Sequence, residues 1–220
     1  MKFAIEKSLL LENLNNVVKG ISTKNVIPVL NGIKFELKNE GLTLMASDSE
    51  LTVETFIESK LITNIEKTGT IIISSKYILD IIRKMPSDII NFEMMDSLKI
   101  KIYSEFNQYN LNCLDPSDYP SIKLLTQKDP IIIKASILKE LINQTSFAIS
   151  TQELRPILTG LNLKINGDLL ECIATDSYRL AKKNIKLPNP VVGDVNIVIP
   201  GKNVTELEHI LVDDEDVYIH

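Results

Sequence analysis

The sequence contains two copies of one unit, separated by a nearly constant offset of 128 positions. Three residues of the first copy recur at this offset in the second, namely Pro28 with Pro156, Gly32 with Gly160 and Asp48 with Asp176. The copies extend over residues 5–92 and 133–220. A fixed offset at several separated positions indicates a tandem duplication, which constrains the architecture more strongly than any single residue does.

The second copy ends before it matches the full length of the first. At the same offset His220 corresponds to Phe92, whereas the first copy continues to about Ile122. We therefore expect a complete first domain over residues 1–125 and a truncated second domain over residues 126–220. The proline-containing segments 115–120 and 128–130 mark the boundary between them.

Each copy has the pattern of an α+β domain. An amphipathic helix is predicted near the start of each, with Ser8 and Ser136 as candidate N-terminal caps. Segments of alternating polarity predict half-buried antiparallel strands joined by tight turns. The predicted helices cover residues 7–18, 75–84, 136–150 and 201–211, and the predicted strands include 33–38, 71–73, 89–94, 98–103, 109–113, 161–166, 197–199 and 217–219. In each domain, two helices are therefore expected to pack against antiparallel sheets.

Composition limits the classes of protein that this chain can represent. Hydrophobic residues make up 44% of the chain and charged residues 24%, which is typical of a globular protein. No apolar segment approaches the roughly 18 residues of a membrane helix, and we expect a cytoplasmic protein without membrane association. A net charge of −5 restricts any nucleic-acid contact to local patches. Cys113 and Cys172 are isolated within strand-like segments, which predicts buried, reduced thiols.

The repeated Asp-Ser pair allows two interpretations. Asp48 and Asp176 precede serines at equivalent positions, and Asp-Ser between strands commonly forms a turn by bonding its own backbone. The alternative is a metal-dependent nucleic-acid hydrolase that uses these carboxylates. We favour the turn and keep the hydrolase as the second hypothesis.

The residues after this pair differ between the copies. The first copy has Glu50-Leu51 where the second has Tyr178-Arg179. Features of only one copy are candidates for function rather than for structure. With Leu158 and Leu180, these residues have the composition of an apolar groove with a polar rim, which is typical of peptide-binding sites.

Several motifs resemble the bacterial sliding clamp, the beta subunit of DNA polymerase III. They are residues 1–3 before the first helix, 27–30 before a strand, 114–120 at the domain boundary, and Ala174-Thr175-Asp176-Ser177-Tyr178-Arg179-Leu180-Ala181. The resemblance extends over the whole chain. It implies tandem DNA-clamp domains, of which this chain holds the first and most of the second, with a third domain absent.

The resemblance implies a non-enzymatic processivity factor that needs no cofactor or metal. Such proteins form head-to-tail homodimeric rings around double-stranded DNA and bind the polymerase III catalytic subunit, the clamp loader and other proteins with clamp-binding motifs. The family's peptide groove corresponds here to Leu158, Thr175, Ser177, Tyr178, Arg179 and Leu180. Familiar members have glycine and histidine in place of Ser177 and Tyr178, which is expected to alter peptide preference.

Two further surfaces are predicted from the same resemblance. The DNA-facing set is Lys24, Arg83, Lys84, Lys139, Gln152 and Lys202, with Pro156 and Ile157 in the following loop. The dimer-interface set is Lys76, Tyr77, Asp80, Gln108, Tyr109 and Leu111. Without the resemblance, the basic residues are also explained by solvated helix faces, and a protein-binding repeat scaffold without DNA is a third hypothesis. We expect this chain alone to form no closed ring.

Overall fold

The chain divides into two units, Met1–Ile122 and Lys123–His220. The computed structural model describes residues 1–22, 25, 27–96, 98–122 and 130–220. Each unit combines antiparallel sheets with two α-helices, which is the predicted α+β class. The predicted domain boundary between residues 125 and 126 lies outside the described residues.

The first unit contains two sheets. Its elements are β1 (Lys2–Glu6), α1 (Lys7–Val17), β2 (Gly32–Leu37), β3 (Gly41–Ser47), β4 (Thr52–Glu58), β5 (Asn64–Lys67), β6 (Gly69–Ser74), α2 (Ser75–Lys84), β7 (Ile89–Asp96), β8 (Lys99–Tyr103) and β9 (Gln108–Asn112). One sheet has the strand order β5-β1-β7-β8-β9 and the other β4-β3-β2-β6. Both helices and both sheets contribute to one hydrophobic core.

Aromatic rings occupy part of this core. The rings of Phe3 and Phe92 stack with their centroids 4.7 Å apart, and the ring of Phe35 lies 6.0 Å from that of Phe92. The helices contribute residues at spacings of three and four, namely Leu10, Leu14 and Val17 from α1 and Ile78 and Ile82 from α2. This spacing places one apolar stripe of each helix toward the sheets.

The second unit repeats part of this arrangement. Its elements are β10 (Ile131–Lys134), α3 (Ala135–Asn143), β11 (Gly160–Asn166), β12 (Leu169–Thr175), β13 (Leu180–Lys186), β14 (Asp194–Pro200), α4 (Gly201–Ile210) and β15 (Asp216–Ile219). One sheet has the order β13-β12-β11-β14, and the other contains β10 and β15. Within the described ranges, β15 pairs only with β10 and forms an edge of its sheet.

Strand pairing corrects the predicted equivalence of His220 with Phe92. Phe3 pairs with Phe92 across β1 and β7, and Ile131 pairs with Ile219 across β10 and β15. Because Phe3 and Ile131 are equivalent at the offset of 128, Ile219 takes the place of Phe92. The offset is therefore 127 in this strand.

The helix starts differ from the prediction. Ser8 and Ser136 are not caps, since α1 and α3 follow Glu6 and Lys134 with no side-chain cap hydrogen bond. The first helical N–H groups instead donate to loop carbonyls, Lys7 N to Asp88 O at 2.7 Å and Ala135 N to Glu215 O at 3.0 Å. A distant loop therefore satisfies these donors in both units.

Two predicted helices end early. α3 ends at Asn143 instead of residue 150, and the buried hydroxyl of Thr145 donates to Leu141 O at 2.6 Å. A short 3-10 turn, Ser146–Ala148, follows and leaves Phe147 57% exposed instead of on the helical apolar face. α4 ends at Ile210 rather than at residue 211.

The predicted state of the two cysteines agrees with the structure. Both cysteines are free and buried, and burial raises the pKa of each thiol to about 11. No helix of the described residues is long and apolar enough to cross a membrane.

Candidate peptide-binding site

The Asp-Ser pair forms the same turn in both units. One carboxylate oxygen of Asp176 accepts the backbone N–H groups of Tyr178 and Arg179, both at 3.0 Å. Asp48 accepts the equivalent groups at 3.1 and 2.8 Å. Ser49 and Ser177 adopt φ values of 79° and 78°, in the left-handed region. The predicted turn is therefore present in each unit.

The turn in the second unit carries the predicted asymmetric residues into solvent. Tyr178 is 94% exposed and Leu180 is 65% exposed. The hydroxyl of Thr175 donates to Arg179 O at 2.7 Å and accepts from Ser177 N at 3.2 Å. The two ends of the turn are thus fixed while its apolar side chains remain open to a ligand.

Arg179 is held by two contacts. Its Nε donates to the second carboxylate oxygen of Asp176 at 2.9 Å. Its guanidinium also lies 5.5 Å from the ring centroid of Phe147, within cation–π range. The hydrogen bonds from the Arg179 and Tyr178 backbones lower the pKa of Asp176 below its usual value, so the partner of the guanidinium is ionised at neutral pH.

Further apolar side chains of the second unit are exposed or half-buried. Together with Tyr178 and Leu180 we call them the open surface of the second unit. Leu158 is half-buried in the 3-10 turn Pro156–Thr159, and the adjacent Ile157 is 70% exposed. Val198 on β14 is 39% exposed. Val198 and Phe147 are not among the site residues predicted from the sequence. A comparison of Val198 with its repeat counterpart Ile72 is the signal that could have identified Val198.

The equivalent surface of the first unit is closed. Leu30, the counterpart of Leu158, is 1% exposed, and Ile72, the counterpart of Val198, is fully buried. Both belong to a separate cluster with Val29 and Tyr119. In the sequence Tyr119 is recognisable only as part of a boundary motif, and no local pattern indicates this contact.

The predicted DNA-facing residues do not share one environment. Arg83 and Lys84 are exposed in the last turn of α2, and an Arg83 Nη donates to Asn15 Oδ1 at 2.8 Å. Lys139 forms a 2.6 Å ion pair with Asp213, which offsets its charge. Lys202 and Gln152 are exposed, the latter with its N–H bonded to Ser150 Oγ at 3.1 Å. Lys24 lies outside the described residues.

The predicted interface residues lie on two elements of the first unit. Lys76, Tyr77 and Asp80 are exposed on α2, and the Lys76 amine lies 6.0 Å from the Tyr77 ring centroid. Gln108, Tyr109 and the half-buried Leu111 lie on β9, an edge strand. Lys76 and Lys202 are equivalent positions of α2 and α4, although the two predictions assign them different roles.

The hydrolase hypothesis loses its main support from the turn geometry. Asp48 and Asp176 belong to different units, and both carboxylates accept turn N–H groups. In the described part of the chain, no group of three or more acidic, histidine or cysteine residues has a metal-binding arrangement. Both aspartates are accounted for by local structure.

Comparison with known proteins matches both units to one family. Residues 1–123 match the family described as DNA polymerase III beta subunit, N-terminal domain, and residues 132–220 match its central domain. The beta sliding clamp of Bacillus subtilis is 39% identical over 99% of this chain, which covers 58% of that protein.

Solved structures give the same result. A crystal structure of the DNA polymerase sliding clamp from Bacillus subtilis superposes with a TM-score of 0.94 at 39% identity, covering all of this chain and 60% of that one. The beta subunit from DNA polymerase of Streptococcus pyogenes gives 0.93 at 32% identity, again covering 100% and 60%. The chain therefore spans about three fifths of the length of these relatives.

Proposed function

Because this chain belongs to the DNA polymerase III beta subunit family, we propose that it is part of a sliding clamp that encircles double-stranded DNA and retains the polymerase there. The observation that carries this proposal is the match of both units, in order, to consecutive clamp domains. We assign the chain no catalytic role, because its function rests on enclosing DNA and binding protein partners.

Peptide binding is assigned to the open surface of the second unit. Leu158, Tyr178 and Leu180 offer apolar side chains, and Arg179 is oriented by Asp176 and Phe147. Thr175 and Ser177 fix the turn through the Thr175 hydroxyl. This combination of exposed apolar residues and one positioned arginine suits a short peptide with apolar anchors, such as those of the polymerase III catalytic subunit and the clamp loader.

DNA contact is assigned to the exposed basic residues at the helices. Arg83, Lys84 and Lys202 are the described cations that support it, while the ion pair of Lys139 with Asp213 makes that residue a weaker contributor. An enclosing ring needs only a modest positive potential, because topology rather than phosphate affinity prevents dissociation. The overall charge of −5 is compatible with this mechanism.

Ring closure is assigned to the exposed residues of α2 and the edge strand β9. An edge strand has unpaired backbone groups that can extend a sheet into a partner. The family forms its ring from three domains per subunit, so residues 1–220 alone should not close the usual ring. Light scattering at micromolar concentration tests this expectation, and a closed dimer would contradict it.

A peptide titration tests the binding site. The probe is a fluorescein-labelled C-terminal tail peptide of a bacterial polymerase III catalytic subunit, followed by anisotropy. Replacing Tyr178→Glu and Leu180→Thr gives the second unit the residues of the first, and we expect at least a tenfold loss of affinity. Because these side chains are exposed, the fold should persist.

The matched control makes the reciprocal changes. Glu50→Tyr and Thr52→Leu alter the equivalent positions of the first unit and should leave the affinity unchanged. Equal affinity of the wild type and the Tyr178→Glu, Leu180→Thr variant would refute the assigned site. A complete family member should bind the same peptide more tightly than this chain, because the third domain completes the groove in the family.

A further inference from the structure

We propose that the first unit contains a closed counterpart of the second unit's peptide site, occupied by the chain's own residues 115–122 with Tyr119 as the anchor. Removing the Tyr119 ring would open a second binding site for a short peptide of the same chemistry, an aromatic side chain in a proline-restricted segment. The ligand class rests on the proposed function, whereas the closure rests on the contacts of Tyr119.

Strand register shows that the two surfaces are equivalent. Lys34 of β2 pairs with Met45 on one side and Ile72 on the other. Its counterpart Asn162 of β11 pairs with Ile173 and Val198. Met45 and Ile72 therefore correspond to Ile173 and Val198 on the same outward face of the repeated sheet.

The turn before this sheet completes the equivalence. Val29 and Leu30 lie in the 3-10 turn Pro28–Asn31, as Ile157 and Leu158 lie in Pro156–Thr159. The repeated glycine that follows lets the turn approach the sheet: a Cβ on Gly32 would lie 2.4 Å from a methyl group of Ile72. A Cβ on Gly160 would lie 2.6 Å from a methyl group of Val198.

Exposure differs sharply although the backbone is the same. Val29 is 6% exposed and Ile72 is fully buried, whereas their counterparts Ile157 and Val198 are 70% and 39% exposed. Tyr119 is the residue that closes the first-unit surface, since it is 8% exposed and clusters with Val29, Leu30 and Ile72.

The segment that carries Tyr119 is fixed on the sheet. Leu114 N donates to Ile72 O at 2.9 Å. Asp115 accepts from the backbone and hydroxyl of Ser117 at 2.9 and 2.8 Å, and Tyr119 N donates to Pro116 O at 3.2 Å. This geometry resembles a bound peptide that is covalently attached to its receptor. The effective concentration of segment 115–122 at the first-unit surface is therefore of order millimolar or more.

The hydroxyl of Tyr119 indicates that the ring is the anchor. Among the described residues no group meets this buried hydroxyl with hydrogen-bond geometry. Burial raises the pKa of Tyr119 to about 12, although the nearby Ser47 backbone acts in the opposite direction. The hydroxyl thus approaches Ser47 without reaching hydrogen-bond geometry. Ser47 is the counterpart of Thr175, a predicted groove residue. Burial of the Tyr119 hydroxyl without a partner is unfavourable. The hydroxyl therefore adds no stabilisation, and the contact depends on the packing of the ring with Val29, Leu30 and Ile72.

The experiment supplies the segment as a separate peptide. The probe is a fluorescein-labelled nonapeptide with the sequence of residues 114–122, titrated into the 220-residue chain. Tyr119→Ala should bind it at least tenfold more tightly than the wild type, whose site is occupied. Tyr119→Phe keeps the ring and should show no gain.

Methyl NMR locates the binding. Peptide added to Tyr119→Ala should shift the signals of Leu30 and Ile72, which report the first unit, and shifts confined to Leu158 and Val198 would overturn the proposal. A first-unit response without any polymerase-tail binding at the second unit would refute the proposed function but support this inference. A folded Tyr119→Ala variant without gain would refute the inference alone.

A second measurement applies if Tyr119→Ala does not fold. In the wild type, the resolved ¹³Cζ signal of Tyr119 should remain that of a protonated phenol at about pH 10.5, above the usual tyrosine pKa. Tyr119→Phe should slow amide hydrogen exchange at Leu114 about tenfold, because the unpaired hydroxyl is removed. Titration near the usual pKa, or faster exchange in Tyr119→Phe, would overturn the closure.

Discussion

The two units share a backbone plan but differ in what covers their apolar surfaces. In the first unit β7 lies between β1 and β8, and Phe92 stacks on Phe3 inside the core. In the second unit β15 pairs with β10, and Ile131 and Ile219 line an open pocket of about 1020 Å³ together with Leu163. Duplication therefore preserves the pairing of equivalent strands. The burial of equivalent residues, by contrast, depends on the segments that pack beside them.

The largest expected difference concerns these equivalent core residues. Phe92→Ala removes a fully buried stacked ring and should lower the free energy of unfolding of the first unit by about 3–5 kcal/mol. Ile219→Ala changes a half-buried residue beside this open pocket and should cost at most about 2 kcal/mol. Hydrogen exchange resolved for each unit measures both, and equal losses would contradict the difference in packing.

A smaller difference is expected at the start of the first helix. The Lys7 amine donates to Arg83 O at 3.2 Å and Met85 O at 2.6 Å, whereas the equivalent residue of the second unit is Ala135. Lys7→Met should destabilise the first unit by about 1 kcal/mol, because carbonyls at the end of α2 lose a charged donor. Urea unfolding measures the loss.

The control for this prediction is Lys60→Met. Lys60 forms an exposed pair with Glu58, and its replacement should change the free energy of unfolding by no more than about 0.5 kcal/mol. Equal effects of the two lysine replacements would show that the Lys7 contact with α2 has no specific role.

The repeated turn should respond alike in both units. Ser49→Gly and Ser177→Gly remove the cost of a side chain at positive φ and should each stabilise the protein by up to about 0.5 kcal/mol. Ser→Ala at the same positions keeps the strained backbone and should give no gain. Thermal unfolding of the four variants compares them, and a gain in only one unit would break the equivalence.

The weakest effect is a dependence on acidic pH. The folded-state pKa of Asp176 is lowered, chiefly by the backbone N–H groups of Arg179 and Tyr178. Its contribution to stability is therefore present above the unfolded pKa of about 3.8 and is lost as pH falls through the lower folded value. The carboxyl ¹³C signal of Asp176 should titrate below that of an unfolded control, and an equal midpoint would contradict the turn contacts.

Much of the secondary structure could be predicted because it follows from local periodicity. The helix at residues 75–84 has the predicted limits, since Ile78 and Ile82 repeat at helical spacing and Pro86 follows its end,. The prediction failed where distant residues determine an end. The sequence predicts Ser8 as a cap, yet the carbonyl of Asp88 satisfies the first N–H of α1.

The candidate site could be predicted only in part. The difference between Glu50-Leu51 and Tyr178-Arg179 identified the turn that is exposed in the second unit. It did not identify Phe147 beside Arg179, because the expected longer helix would have buried that ring. It also missed Val198, whose exposure is recognisable only against the buried Ile72.

The sequence by itself determined the duplication, the order of helices and strands, and the repeated Asp-Ser turn, because these depend on residues close together in the chain. Only the tertiary structure decided which copy of the apolar surface is open. That outcome depends on Tyr119 packing against Leu30 and Ile72 from more than 40 positions away in the sequence. Such long-range contacts decide whether equivalent positions of the two units are buried or exposed. The local sequence pattern does not predict them.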